Sequence, residues 1–262
     1  MFPLKDNIPN ERFPFVTVAL VVINVIAYLL SIRHGGSFFG GPSSETVVHD
    51  AAIPYDLSHP GKYCTVNTIV NEVGATQLQP ECKQGPYPGQ IPTWQTAFAS
   101  MFLHGGFLHI AGNMLFLAIF GPNVEDAMGY PRFIVYYLLG GLAALAAQVA
   151  VDPNATVPTL GASGAIAAVL GGYILLYPRA RVLTLIFIIF FVTIIEVPAV
   201  FLLGFWFLEQ IFLGSAGLAT PVGGSGGVAY FAHVGGFVFG LALVRLFARR
   251  HRPEPPPRLP VY

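Results

Sequence analysis

The sequence predicts an all-α, polytopic membrane protein built as a bundle of six transmembrane helices. Three observations predict it. Of 262 residues, 54% are hydrophobic and only 10% charged, where a soluble domain has roughly a quarter of its residues charged. The apolar residues gather into runs long enough to cross a hydrocarbon core of about 30 Å. The basic residues divide unequally between the loops that six crossings would place on opposite faces. Formal net charge is zero, so composition gives no argument for a nucleic-acid partner. The partner it does imply is the lipid bilayer.

Residues 1–13 are polar and mixed in charge and read as a cytoplasmic N-terminal segment. The almost unbroken apolar run at 14–32 is the first span, and because no small-x-small cleavage pattern follows it, it reads as an anchor rather than a removed signal peptide. Residues 33–93 are rich in Gly, Pro, Ser, Asn and Thr, show no sustained period and contain both cysteines, Cys64 and Cys82. They read as a long extramembrane loop. From Trp94 the chain turns amphipathic and then apolar through 107–120, interrupted by His104, His109 and Asn113; the polar stretch 121–131 is expected to end this second span.

The third span is expected at about 132–151 and the fourth at 161–177. Seventeen residues make about 25 Å of helix, so Ser163, in the first turn of that short span, should lie below the membrane surface beside unpaired backbone N–H groups. The run 182–213 would be about 48 Å as one helix, too long for a single crossing. Glu196 and Pro198 divide it into an interfacial or re-entrant segment at 182–195 and a fifth span at 198–213. A flexible loop at 214–227 precedes the sixth span at 228–247. The membrane domain is thus 14–248, followed by a basic, proline-rich cytoplasmic tail at 249–262.

Six crossings put both termini on one face. Lys5, Arg12, Arg132, Arg179, Arg181, Arg245, Arg249, Arg250, Arg252 and Arg258 fall there, against Arg33, Lys62 and Lys83 opposite. Both termini are therefore expected in the cytoplasm. The 33–93 loop is then outside, where an oxidising compartment permits a Cys64–Cys82 disulfide.

On this topology His109, Asn113, Ser163 and His233 share one depth on three helices, and polar groups inside a bilayer default to a functional reading. His109 and Asn113, at i and i+4, lie on one helical face. Gly236 and Gly240 follow His233 as Gly-x-x-x-Gly, and Gly164, Ala168, Gly171 and Gly172 thin the fourth span, so the two helices can pack backbone to backbone. Such packing would put Ser163 within reach of His233, as a nucleophile and its general base require. His109, Asn113 and the Ser163 N–H could then donate to a developing oxyanion. Other readings use the same residues. Small residues around Ser163 suit plain helix packing, three histidines suit a metal only with a further ligand that is not found at this depth, and Glu196 and Glu209 would suit a proton relay. Beside a hydrolase site, those two glutamates read as packing or loop-anchoring residues.

Four motifs in order, His104-x4-His109-x3-Asn113, Gly-Pro-Asn-Val-Glu-Asp at 121–126, Gly161-Ala162-Ser163-Gly164 and Ala232-His233-x2-Gly236-x3-Gly240, resemble the rhomboid intramembrane serine proteases. The resemblance runs from Trp94 to about Gly240. It implies a six-helix rhomboid-like bundle with no metal or other cofactor, in which Ser163 and His233 form a dyad without an acidic third member. It further implies an oxyanion hole of His109, Asn113 and Ser163, with His104, Gly161, Gly164, Gly236 and Gly240 structural around it. Asn123, Glu125 and Asp126 would belong to a structural loop, and the fifth span would gate entry. Substrates would be single-pass transmembrane proteins cut near the outer face, and the motif wording points to a bacterial inner membrane.

One position departs from the family pattern: Ala167 stands where members often carry an aromatic ring against the catalytic histidine. Tyr230 or Phe231 could supply that ring. Failing that, the chain would be a catalytically weak or inactive relative that binds membrane clients. The sequence names neither a physiological substrate nor an oligomeric state.

Overall fold

The computed structural model describes residues 2–70, 76–85, 91–188, 191–219 and 228–249. The chain opens with a strand, β1 (Phe2–Asp6), and a helix, α1 (Phe15–Ser31), followed by two short helices, α2 (Ser44–Asp50) and α3 (Pro54–Ser58), and a hairpin, β2 (Lys62–Val70) and β3 (Thr76–Gln84). Next come α4 (Thr93–Ala99), a 3-10 turn at Ser100–Phe102, and the helices α5 (Phe107–Met128), α6 (Tyr130–Val151) and α7 (Ser163–Leu176). A second hairpin, β4 (Arg181–Ile188) and β5 (Phe191–Pro198), leads to α8 (Ala199–Ala219) and α9 (Tyr230–Phe247). Among the described residues α5, α6, α8 and α9 are long and apolar enough to cross a membrane, while α1 and α7 are shorter apolar helices.

The short helix α7 is the axis of the bundle. Its residues from Gly164 to Tyr173 are all buried, as expected for a helix apolar on every side. Its smallest residues explain why neighbours approach so closely. A Cβ on Gly236 would sit 2.1 Å from the Gly164 carbonyl oxygen, one on Gly240 2.1 Å from that of Ala168, and one on Gly171 2.1 Å from that of Phe237. The α7 and α9 backbones therefore touch along a seam that only glycine permits. On the other flank, a Cβ on Gly164 would lie 2.6 Å from the Ala144 methyl of α6.

At the end of the bundle remote from Ser163, buried polar groups fasten the elements together. The Glu125 carboxylate of α5 accepts the Val16 and Thr17 N–H groups at 2.9 and 2.7 Å and the Thr17 hydroxyl at 2.6 Å. It thereby caps the otherwise open N-terminus of α1. Asp6 of β1 accepts from Asn123 Nδ2 at 2.5 Å and from the Tyr173 hydroxyl at 2.6 Å. These contacts explain why α5 does not stop at Phe120 as expected. The polar residues beyond it are buried partners rather than a solvated turn, and the helix continues through Pro122 to Met128. Asn123, Glu125 and Asp126 are structural, but helical rather than in a loop.

Burial pushes the Asp6 carboxyl up to about 6, against the opposing hydrogen bond from Tyr173. Between about pH 4 and pH 6 the folded chain then holds a proton there that the unfolded chain has released. This group's contribution is greatest below pH 4 and is lost as pH rises through 6. Asp6→Asn should flatten that slope and raise the melting temperature at pH 7, measured by thermal denaturation in detergent across pH 4–8.

The chain is mostly helical, as expected, but it also carries two small antiparallel sheets. One has the order β1-β4-β5 and replaces the interfacial segment expected at 182–195. That run is built of Val, Ile, Leu, Thr and Phe, which favour a pleated surface. At the start of β4 the side chains alternate as a strand requires, Val182 and Thr184 fully buried and Leu183 exposed. Glu196 and Glu209 are both exposed, so neither anchors packing. The helix α8 also runs on to Ala219, into the loop expected at 214–227; the remainder of that loop and the tail beyond Arg249 lie outside the described residues.

The other sheet, β2-β3, lies in the stretch 33–93 that was expected to be a loop. Cys64 and Cys82 are opposite one another across this hairpin and are bonded as a disulfide. The stretch is fastened to the segment leading into Ser163. Thr159 N–H donates to the Ala52 carbonyl at 2.8 Å, Tyr55 N–H to that of Ala155 at 3.0 Å, and the Ser58 hydroxyl to that of Pro153 at 2.5 Å.

Candidate active site

Ser163 is the first residue of α7, preceded by Gly161 at φ +120°. That backbone favours glycine, and space demands it as well: a Cβ there would stand 2.8 Å from His109 Nε2 and 3.6 Å from Asn113 Nδ2. The turn is pinned from behind, where Gly161 N–H donates to the Ser100 carbonyl at 2.8 Å. The chain thus enters α7 directly beneath the His109 and Asn113 side chains. The N–H groups of Ser163, Gly164 and Ala165 belong to the opening turn, where no preceding carbonyl is available to them within the helix.

His233 lies in the first turn of α9, and the glycine seam brings it to α7. Its Nε2 is 2.7 Å from Ser163 Oγ. His109 receives the Gly105 N–H on Nδ1 at 3.3 Å. An imidazole nitrogen that accepts carries no proton, so neutral His109 bears its hydrogen on Nε2, the atom beside Gly161. Asn113 is buried at 8% exposure and its Nδ2 has no hydrogen-bond partner. Two donors with unused hydrogens therefore converge on the space above Gly161 and Ser163.

This space is a cavity of about 600 Å³ lined by Ser163, His233, His109, Asn113, Met101 and Trp206 among others. Such a partly open, mostly apolar volume lowers the local dielectric and strengthens any charge-stabilising contact. His104 is fully buried just before α5, with its ring edge-on to His109 at 5.2 Å, and it packs rather than facing Ser163.

Two residues at the site were missed by the sequence reading, and both belong to α8. Gln210, 5% exposed, places its Oε1 2.8 Å from His233 Nδ1. The Trp206 ring lies 5.7 Å from that of His233, tilted by 37°, and also packs on Phe237. Trp206 supplies the aromatic neighbour that Ala167 cannot. Among the described ring contacts of His233 neither Tyr230 nor Phe231 appears; the Phe231 ring lies against Gly214 of α8. The available signal was the i, i+4 spacing of Trp206 and Gln210 within an apolar helix.

Comparison with known proteins gives a consistent result. Residues 92–250 match the Rhomboid domain family. The chain is 29% identical over 223 residues to Rhomboid protein 1, mitochondrial, of Saccharomyces cerevisiae, covering 79% of this chain and 58% of that protein. It is 25% identical over 171 residues to Rhomboid-type serine protease 2 of Emericella nidulans, covering 53% and 34%. It is 37% identical over 78 residues to Rhomboid protease GluP of Bacillus subtilis, covering 30% and 15%. The chain thus spans little more than half the length of the yeast relative and about a third of the Emericella one.

Proposed function

The chain belongs to the rhomboid family of integral membrane proteins, and on that premise we propose that it is an intramembrane serine endopeptidase with Ser163 as nucleophile and His233 as general base. The observation that carries the reading is the 2.7 Å contact between Ser163 Oγ and His233 Nε2. As Oγ attacks a peptide carbonyl carbon, its proton passes to Nε2. The carbonyl oxygen, now negative, takes hydrogen bonds from His109 Nε2–H, Asn113 Nδ2 and the Ser163 N–H. The imidazolium then protonates the departing amine nitrogen, and a water molecule repeats the sequence to release the acyl group from Ser163. No metal or cofactor takes part.

Substrates are single-pass transmembrane proteins, whose scissile segment must leave its helix to reach the cavity. The six-span arrangement with cytoplasmic termini rests on the division of basic residues. The relatives include a mitochondrial protein as well as a bacterial one, so they lend no support to a bacterial inner membrane in particular.

The testing experiment is cleavage of a single-pass reporter by the purified protein in liposomes, with Ser163→Ala beside the wild type. Cleavage by the wild type alone supports the proposal. No cleavage by a folded wild type across several reporters would move the reading to a client-binding protein. Within an active enzyme, Asn113→Ala should lower kcat by about 10²- to 10³-fold with little change in KM, because its donor serves only the oxyanion.

A further inference from the structure

We propose that Gln210 is a positioning residue that holds His233 in the tautomer with its proton on Nδ1, leaving the Nε2 lone pair for the Ser163 hydroxyl. The proposal rests on the protease reading above for its consequence, though not for its geometry. The orientation of the Gln210 amide is fixed by its own partners. Its Nε2 donates to the Trp206 carbonyl at 3.3 Å, one turn back on α8. A carbonyl only accepts, so the NH₂ end must face Trp206 and the oxygen end must face His233. That oxygen lies 2.8 Å from Nδ1 and likewise only accepts. Nδ1 must therefore carry the hydrogen, and in a neutral imidazole Nε2 is then the bare nitrogen.

The consequence reaches Ser163. With Nε2 bare, the 2.7 Å contact has one polarity: Oγ donates, and its proton already lies on the path to the base. In the opposite tautomer Nε2–H would donate to Oγ, and the serine could not be deprotonated by it. In serine hydrolases with a triad, an aspartate enforces the first arrangement. Gln210 enforces the same tautomer through a dipole rather than a full negative charge, and so stabilises the imidazolium less than a carboxylate would.

Trp206 completes the support. Four residues before Gln210, it presents its ring to the imidazole from the same helical face. The amide bond fixes rotation of the imidazole and the indole limits its tilt. Gln210 is buried with both ends bonded, an arrangement in which a neutral network is most directional. Among the described residues, the other titratable or polar groups near His233 include His109 and Asn113 of α5, Ser163 of α7 and Gln148 of α6, whose Oε1 accepts the Ala232 N–H at 3.2 Å. None of these bonds to Nδ1. Glu209, beside Gln210 in sequence, is exposed.

The test uses full-length protein labelled with ¹⁵N-histidine in lipid bilayers, the His233 signals being identified by their loss in His233→Ala. The wild type should show Nδ1 protonated and Nε2 bare. Gln210→Leu, close in volume, should populate the Nε2–H tautomer and lower kcat roughly 10- to 100-fold with KM within about twofold. Gln210→Glu, which restores an acceptor, should recover the Nδ1–H tautomer and most of kcat. The inference is overturned if Gln210→Leu keeps both the wild-type tautomer and its kcat, or if Leu and Glu variants lose melting temperature and activity alike. Tautomer signals do not depend on turnover. An inactive wild type with Nδ1 protonated would thus sink the protease reading and leave Gln210's positioning role standing.

Discussion

Ser163→Ala and His233→Ala are each expected to lower kcat by about 10⁴- to 10⁶-fold, and the double variant to fall no further than the worse of the two. On the proposed mechanism either substitution stops the transfer of the Oγ proton to Nε2, so the second removes nothing still in use. Independent contributions would instead multiply. The residual rate should stay above that of the uncatalysed peptide, because His109 and Asn113 still present their hydrogens to the bound carbonyl. Single-turnover cleavage of a reporter in liposomes measures all three variants. Thermal denaturation provides the control: Ser163 borders a cavity rather than filling one, so Ser163→Ala should melt close to the wild type. A double variant markedly worse than either single would show that the two residues do not act as a unit.

Gly236→Ala should rank with Gly171→Ala and Gly240→Ala among the methyl additions that cost the bundle most stability. Its new Cβ would lie 2.1 Å from a backbone oxygen of α7, and backbone cannot rotate aside as a side chain can. The helices must separate, at a cost of about 3 kcal/mol or more, equivalent to roughly 6–12 °C in melting temperature for a chain of this size. Because residue 236 is one turn beyond His233, the same separation pulls Nε2 from Ser163 Oγ. A displacement of about 1 Å in a reacting pair costs on the order of 10²-fold in rate, so activity should fall at temperatures where the variant remains folded. Gly204→Ala on α8 is the comparison. Nothing lies within 4 Å of its added Cβ, and removing a helical glycine there should stabilise slightly, by roughly 0.5–1 kcal/mol. Equal melting temperatures for the two variants would contradict the account of the seam.

The parts of this molecule that were legible in the sequence are those where chemistry and spacing coincide in a short window. Ser163 among small residues, His109 and Asn113 one turn apart, and His233 ahead of Gly236 and Gly240 could be placed by helical period alone, and the fold brings them to one cavity. Gln210 and Trp206 could not. Which face of α8 meets α9 is decided by tertiary packing, and Gln210 stands beside an exposed glutamate that suggests a solvated turn. The continuation of α5 was hidden for a related reason. Glu125 looks like a surface residue until the N-terminus of α1, more than a hundred positions earlier, is seen to donate to it. The strands at 182–198 are not legible as strands, because the run is apolar throughout and apolarity does not distinguish a membrane helix from a hairpin. The short helices at 44–58 have no period long enough to detect.

The sheet that joins β1 to β4 also sets an order of events during synthesis. Asn7 Oδ1 accepts the Arg181 N–H across a separation of 174 residues, and Asp6 meets Tyr173 across 167. At about 5–20 residues per second, the partner of the first strand leaves the ribosome roughly ten to thirty-five seconds after the strand itself. Throughout that interval α1 can insert, but its preceding strand has nothing to pair with, and the Glu125 that caps α1 is itself not yet made for much of it. The N-terminal strand is therefore secured only after α7 has been made, with α8 and α9 still to follow. A bulky fusion placed there would burden that long-range pairing step, whereas the same fusion after α9 would leave it untouched.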